Sequence, residues 1–114
     1  MENHTKLGVL KTRSEFLHVR SGKYRAFKNL VVQANANSNS EVIRVGFTAT
    51  KKIGNAVVRN RAKRRMRALV SRFVKEDINF FDNKSSYVLV AKSSLNKALF
   101  INLYSEMQQC LNKL

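Results

Sequence analysis

Carboxylates are scarce in this chain: seven Asp and Glu stand against 22 Lys and Arg over 114 residues, a formal charge of +15. Between Glu41 and Glu76 there is none, yet half of the basic residues fall there. The acids Glu2, Glu15, Glu41, Glu76, Asp77, Asp82 and Glu106 are scattered, and only Glu76, Asp77 and Asp82 lie near one another, in what reads as a solvated turn. A protein that hydrolyses a phosphodiester with its own metal ions needs converging carboxylates, so none is expected to be built here. Cysteine is equally sparse. Cys110 alone cannot close an internal disulfide, so no disulfide partner is expected, the cytoplasm is the default compartment, and the residue reads as a small core side chain. His4 and His18 are isolated, which excludes zinc-ligand spacing. No apolar run approaches the ~18 residues of a membrane span, and MENHTKLGVL lacks a long apolar run after a basic segment. A soluble, unprocessed protein is therefore expected, with no membrane partner.

What is present fits one domain over residues 1–114: the length suits a single core, and 44% apolar residues suffice to fill it. The surplus of positive charge leaves nucleic acid, an anionic membrane surface or an acidic protein as candidate partners. Along the chain, TRSEFLHVRSG (12–22) reads as a short helix, with capping-box spacing between Thr12 and Glu15 and a left-handed stop at Gly22. YRAFKNLVVQ (24–33) and EVIRVGFTAT (41–50) read as strands joined through the polar run at 35–40 into a hairpin. In the second of them Ile43, Val45, Phe47 and Ala49 alternate with Arg44, Gly46, Thr48 and Thr50, which predicts a core face and a wet or ligand-bearing face. YVLVA (87–91) reads as a short buried strand. NKALFINLYSEMQQCLNKL (96–114) carries Leu103, Met107, Cys110, Leu111 and Leu114 at helical spacing. The predicted order is α-β-β-α-β-α.

The second helix, near 56–75, holds most of the charge. GNAVVRNRAKRRMRAL (54–69) contains six Arg or Lys and no acid. Asn55 suits an N-cap after Gly54, and Val58, Ala62, Met66, Leu69 and Phe73 fall on one stripe that predicts burial. Asn60, Lys63, Arg64, Arg67 and Ser71 fall opposite, with Arg61, Arg65 and Arg72 on one flank and Arg59 on the other. A solvated helix face mixes signs to gain ion pairs, and this one has no acid to pair with. Arginine outnumbers lysine, and a guanidinium grips two phosphate oxygens where an ammonium is a point charge, so phosphate is the favoured counter-charge. A membrane-surface role fits poorly: the apolar stripe holds the small Ala62, lacks Trp and is needed by the core. GNAVVRNRAK also lacks the second Gly and following Lys of a phosphate-cradling loop.

TKKIGNAVVRNRAKRRMRAL (50–69) resembles the signature of the bacterial ribonuclease P protein component, an Arg-Asn-Arg motif in a basic helix after a Lys-Lys-x-Gly-x-Ala segment. TRSEF, VIRVGF, YVLVAK and a terminal amphipathic helix follow the family's order. The resemblance implies an α+β fold, a single-domain α/β sandwich like domain 2 of ribosomal protein S5, whose mixed sheet contains a left-handed βαβ crossover. It implies a protein that assists a catalytic RNA in removing the 5′ leader of precursor transfer RNA, with Mg2+ at the RNA active site and no cofactor held by a protein motif. The partners implied are the ribonuclease P RNA and precursor transfer RNA. By the same likeness Lys51, Lys52, Arg59, Asn60, Arg61, Lys63, Arg64 and Arg67 bind RNA, while Phe16, Thr48 and Thr50 line a cleft for the leader. The family's second aromatic of the first helix is replaced near Arg20, and its strand aromatic is missing near Val32, so Arg20 or Arg25 is the expected substitute. Phe16 is read equally well as a plain core aromatic. Two other functions stay open: a ribosomal RNA-binding protein, and a DNA-binding protein, the latter lacking the preceding helix of a helix-turn-helix.

Overall fold

The computed structural model describes residues 7–37, 42–76, 78–82 and 84–114. Glu2, His4, turn residues 38–40, Glu41 and Asp77 lie outside the described residues. In chain order come β1 (Leu7–Val9), α1 (Arg13–Arg20), β2 (Lys23–Ala26), β3 (Leu30–Ala36), β4 (Ile43–Thr48), α2 (Ala56–Glu76), β5 (Ser85–Ala91) and α3 (Phe100–Lys113). Short 3-10 turns occupy Lys51–Ile53, Ile78–Phe80 and Leu95–Lys97.

Local chemistry sets the first helix as expected. The Glu15 amide donates to Thr12 Oγ1 at 3.3 Å, and the Thr12 amide donates back to Glu15 Oε1 at 2.9 Å. With the Lys11 amide added, these donors hold the Glu15 carboxyl below its ordinary pKa. Gly22 departs from expectation. It has no positive φ, and Ser21 ends the helix in a right-handed conformation. A glycine stands there because β3 passes close by: a Cβ would lie 2.2 Å from the Ala34 carbonyl oxygen and 2.7 Å from Asn35 Cβ. Gly22→Ala should therefore cost about 1–3 kcal/mol of stability in urea unfolding, by overpacking against backbone that cannot yield. A variant as stable as the parent would show that β3 moves away freely.

The strands form one five-stranded mixed sheet in the order β1-β4-β5-β3-β2. β4 is parallel to both β1 and β5, whereas β3 is antiparallel to β5 and β2. Two strand expectations are corrected. The hairpin between 24–33 and 41–50 does not form, because β5 inserts between β3 and β4 and takes both edges. YVLVA is apolar on both faces because it is the central strand, and Tyr87, Val88, Leu89 and Ala91 are buried. The segment 24–33 is two strands, broken at Asn29. That buried residue donates its amide to Glu106 of α3 at 2.9 Å and accepts from Ser94 Oγ at 2.7 Å. β1 was not foreseen, since only three residues pair. The last helix starts at Phe100, later than expected, after the turn at Leu95–Lys97.

Helices cover both faces. α2 and α3 pack Ala62, Met66, Leu69, Phe73, Leu103, Met107 and Cys110 against Leu30, Val32, Ile43, Val45 and Leu89. On the opposite face α1 makes a smaller cluster of Leu10, Val19 and Val88, with Phe16 and Val90 partly covered. Cys110 is a core residue as expected. Burial, then the neighbouring Glu106, pushes its thiol up to about 11, so it stays protonated at neutral pH.

Candidate nucleic-acid interface

The turn into α2 is built from backbone requirements. Gly54 has φ 147°, a conformation that favours glycine, and a Cβ there would also meet Val58 at 2.9 Å. Asn55 Oδ1 accepts from the Val58 amide at 3.0 Å and caps the helix. Just before it, Lys51 and Lys52 stand exposed on the 3-10 turn beside the exposed Thr50.

From this start α2 divides into a buried stripe and a cationic face, as its spacing predicts. Ala62, Met66, Leu69 and Phe73 are buried together with Val70, and Val58 is half-buried at the end of the stripe. Asn60, Arg61, Arg64 and Arg67 are exposed and Lys63 is half-exposed. Among the described residues no carboxylate pairs with any of these four cations. Arg67 lies over the Phe47 ring at 5.7 Å, so the cationic face runs up to the β4 edge of the sheet.

Three arginines are used differently. Arg65 donates to the carbonyls of Leu95 and Ala98, each at 2.6 Å, and so ties the turn before α3 to α2. Arg72 pairs with Glu76 at 2.9 Å and lies over the rings of Phe100 and Tyr104. Arg59 is half-buried, and its Nε is buried without a hydrogen-bond partner. That leaves an unspent donor at the first position of the Arg-Asn-Arg motif, one whose satisfaction by an incoming acceptor would be favourable.

The other expected site lies on the α1 face of the sheet. Register places Gly46, Val88, Gln33 and Tyr24 in one row across four strands, and Thr48, Val90, Val31 and Ala26 in the next. α1 crosses this face with the Phe16 ring on Gly46, where a Cβ would lie 2.6 Å from the ring. Its far end is fixed by Asn35 Nδ2 donating to the His18 carbonyl at 2.7 Å. The row from Thr48 to Ala26 stays half-exposed to exposed beside Phe16 and Arg20. Phe16 is thus partly core and partly open. Arg25 does not join this face: it pairs with Val32, on the opposite side, and its Nε donates to the Lys113 carbonyl at 3.1 Å. Tyr24 does join it. It is 65% exposed and directly opposite Gln33, an aromatic beside the very position where the strand ring was missed. The signal that could have found it is the period of two from Tyr24 to Ala26, once β2 is recognised as a separate strand.

Among the described residues, no three His, Cys, Asp or Glu come together to hold a metal ion, and no helix is long and apolar enough to cross a membrane.

A mixed sheet with one helix on one face, two on the other and an arginine face without carboxylate partners among the described residues makes this a small α+β protein with a strongly cationic surface. A profile of the Ribonuclease P family matches residues 5–114. The ribonuclease P protein component of Gluconacetobacter diazotrophicus is 40% identical over 106 residues, covering 91% of this chain and 88% of that protein. That of Ruegeria pomeroyi is 38% identical over 111 residues, covering 95% and 86%. The chain belongs to the ribonuclease P protein family, which associates it with that endoribonuclease complex and with transfer-RNA processing. In fold it is similar to the RNase P protein of Staphylococcus aureus, with a TM-score of 0.75 at 22% identity over 94% of each chain. It is also similar to that of Thermotoga maritima, with a TM-score of 0.70 at 20% identity over 90% and 92%.

Proposed function

We propose that this chain is the accessory protein subunit of ribonuclease P in the cytoplasm, binding the catalytic RNA and the 5′ leader of precursor transfer RNA. The observation that carries this reading is the face of Asn60, Arg61, Arg64 and Arg67, exposed, with the half-exposed Lys63, whose cations have no carboxylate partner among the described residues, on the helix that bears the Arg-Asn-Arg motif. Guanidinium groups at this spacing suit RNA phosphates, and Lys51 and Lys52 extend the field from the preceding turn. The open row beside Phe16, Arg20 and Tyr24 suits a single strand, because its apolar floor and aromatic rings accept unpaired bases without reading their edges. Hydrolysis itself belongs to the RNA subunit with its Mg2+. The protein supplies positive charge and a seat for the leader, and is inactive alone.

Phe16→Leu keeps an apolar side chain on Gly46 but removes the ring. It should cost about 1–3 kcal/mol of precursor binding, the scale of one base stacked on an aromatic, and leave mature transfer RNA unaffected. Titration of the RNA-protein complex with both ligands checks this. Equal losses for the two would make Phe16 a core aromatic only.

A further inference from the structure

β1 ends at Val9, and the last bond along its edge is the Leu10 amide to the Val45 carbonyl at 3.1 Å. Beyond that point the outer edge of β4 has no strand neighbour among the described residues, and the two helical layers overhang it. Phe16 reaches over Gly46 from the α1 side, while Lys63, Arg67 and Ser71 of α2 stand on the Phe47 side. The gap is a cavity of about 390 Å³, to which Lys11 brings a third cation from the segment before α1. Among the described residues no carboxylate lines it. The volume lies in the range of small-ligand sites, roughly 300–1,000 Å³. Resting on the function proposed above, we propose that this cavity is a binding site for one unpaired nucleotide, its phosphate held by Lys11, Lys63 and Arg67 and its base set against Phe16 and Phe47.

The lining chooses this ligand over its competitors. Inorganic phosphate would satisfy the cations and leave two rings and most of the volume unused. A duplex keeps its bases stacked inside, so only its phosphates would reach the mouth. An unpaired nucleotide brings both an anion and a flat apolar ring, and its phosphate displaces no acid. The position also links the two expected sites, since Phe16 borders the open row on the sheet and Lys63 and Arg67 belong to the cationic face of α2. A strand leaving the α1 face past Phe16 would meet this cavity before reaching the helix.

The same chemistry could come from a nucleotide within an RNA strand or from a free mononucleotide, and the probes separate them. The full chain, isotope-labelled, is titrated with single-stranded hexauridylate, uridine 5′-monophosphate and inorganic phosphate while backbone amides are followed by NMR. Hexauridylate should shift Leu10, Gly46, Phe47 and Ser71 saturably, the mononucleotide should shift the same amides at higher concentration, and phosphate should do so least. Ser71→Leu, which fills the cavity from an exposed helix position without changing charge, and Lys11→Ala should each weaken hexauridylate at least about fivefold. Lys28→Ala, which removes one exposed charge from the turn between β2 and β3 at the opposite edge of the sheet, should change it less than about twofold. A mononucleotide that binds more tightly than the hexamer supports the site and assigns it to free nucleotides. Phosphate acting as strongly as the mononucleotide overturns the nucleotide assignment. So does a hexamer that leaves those four amides in place, or that binds Ser71→Leu and Lys11→Ala as it binds the parent. Stimulation of the RNA subunit is read separately, so a silent cavity in a chain that still assists cleavage sinks this site and leaves the function standing.

Discussion

Replacing Lys63, Arg64 and Arg67 together by alanine is expected to weaken binding to the RNA subunit on the order of a hundredfold near 0.1 M salt. Each lost phosphate contact also lowers the slope of log affinity against log salt by roughly 0.7–0.9, or about 2–3 for all three. The effect is this large because none of the three has a carboxylate partner among the described residues, so each is available to displace a counterion. The fold should survive, since these side chains lie outside the core. Arg67 makes an internal contact over Phe47, worth about 0.5–1 kcal/mol at an exposed position. Arg65→Ala should behave in the opposite way. Its guanidinium is occupied by two carbonyls, so its loss falls on stability and on the turn before α3 more than on the salt slope. Unchanged affinity with an unchanged slope in the triple variant would return the α2 face to ordinary solvated surface.

Phe73→Ala is expected to cost about 3–5 kcal/mol of stability, a large share of the 5–15 kcal/mol typical of a domain. Phe73 is fully buried where α2, α3 and the turn at Ile78–Phe80 meet. Its ring stacks on Tyr104 at 4.1 Å between centroids and meets Phe80 and Phe81 edge-on at 5.7 and 6.2 Å. Truncation removes three ring contacts and leaves a cavity that two helices cannot close. Urea unfolding followed by far-UV circular dichroism measures this, and a loss below about 1 kcal/mol would mean that the rings repack around the gap.

The features legible in the sequence are those decided within a few residues. The capping box of Thr12 and Glu15, the Asn55 cap and the division of α2 into a buried stripe and a cationic face all follow from spacing along one helix. The errors arise where the deciding partner is distant. Nothing between residues 24 and 50 announces that β5, some forty residues on, will separate β3 from β4. Neighbouring strands pair more often than not, and that general rule pointed to a hairpin. Arg64 and Arg65 are identical in sequence terms, yet one is exposed and the other is tied to carbonyls thirty and more residues away. Arg25 was expected on the α1 face and lies on the other for a similar reason: which of Tyr24 and Arg25 faces α1 depends on the pairing of Tyr24 with Gln33 and Arg25 with Val32. The cavity at the β4 edge was invisible because it depends on how early β1 stops.

The most direct measurement is cleavage of precursor transfer RNA at low Mg2+ with the protein alone, the bacterial ribonuclease P RNA alone, and the two together. Expected are no cleavage by the highly purified protein, slow cleavage by the RNA, and markedly faster cleavage by the pair, with the gain shrinking as Mg2+ rises to supply the same positive charge. Cleavage by the protein without any RNA, or a pair no faster than the RNA alone at low Mg2+, would contradict the proposed function.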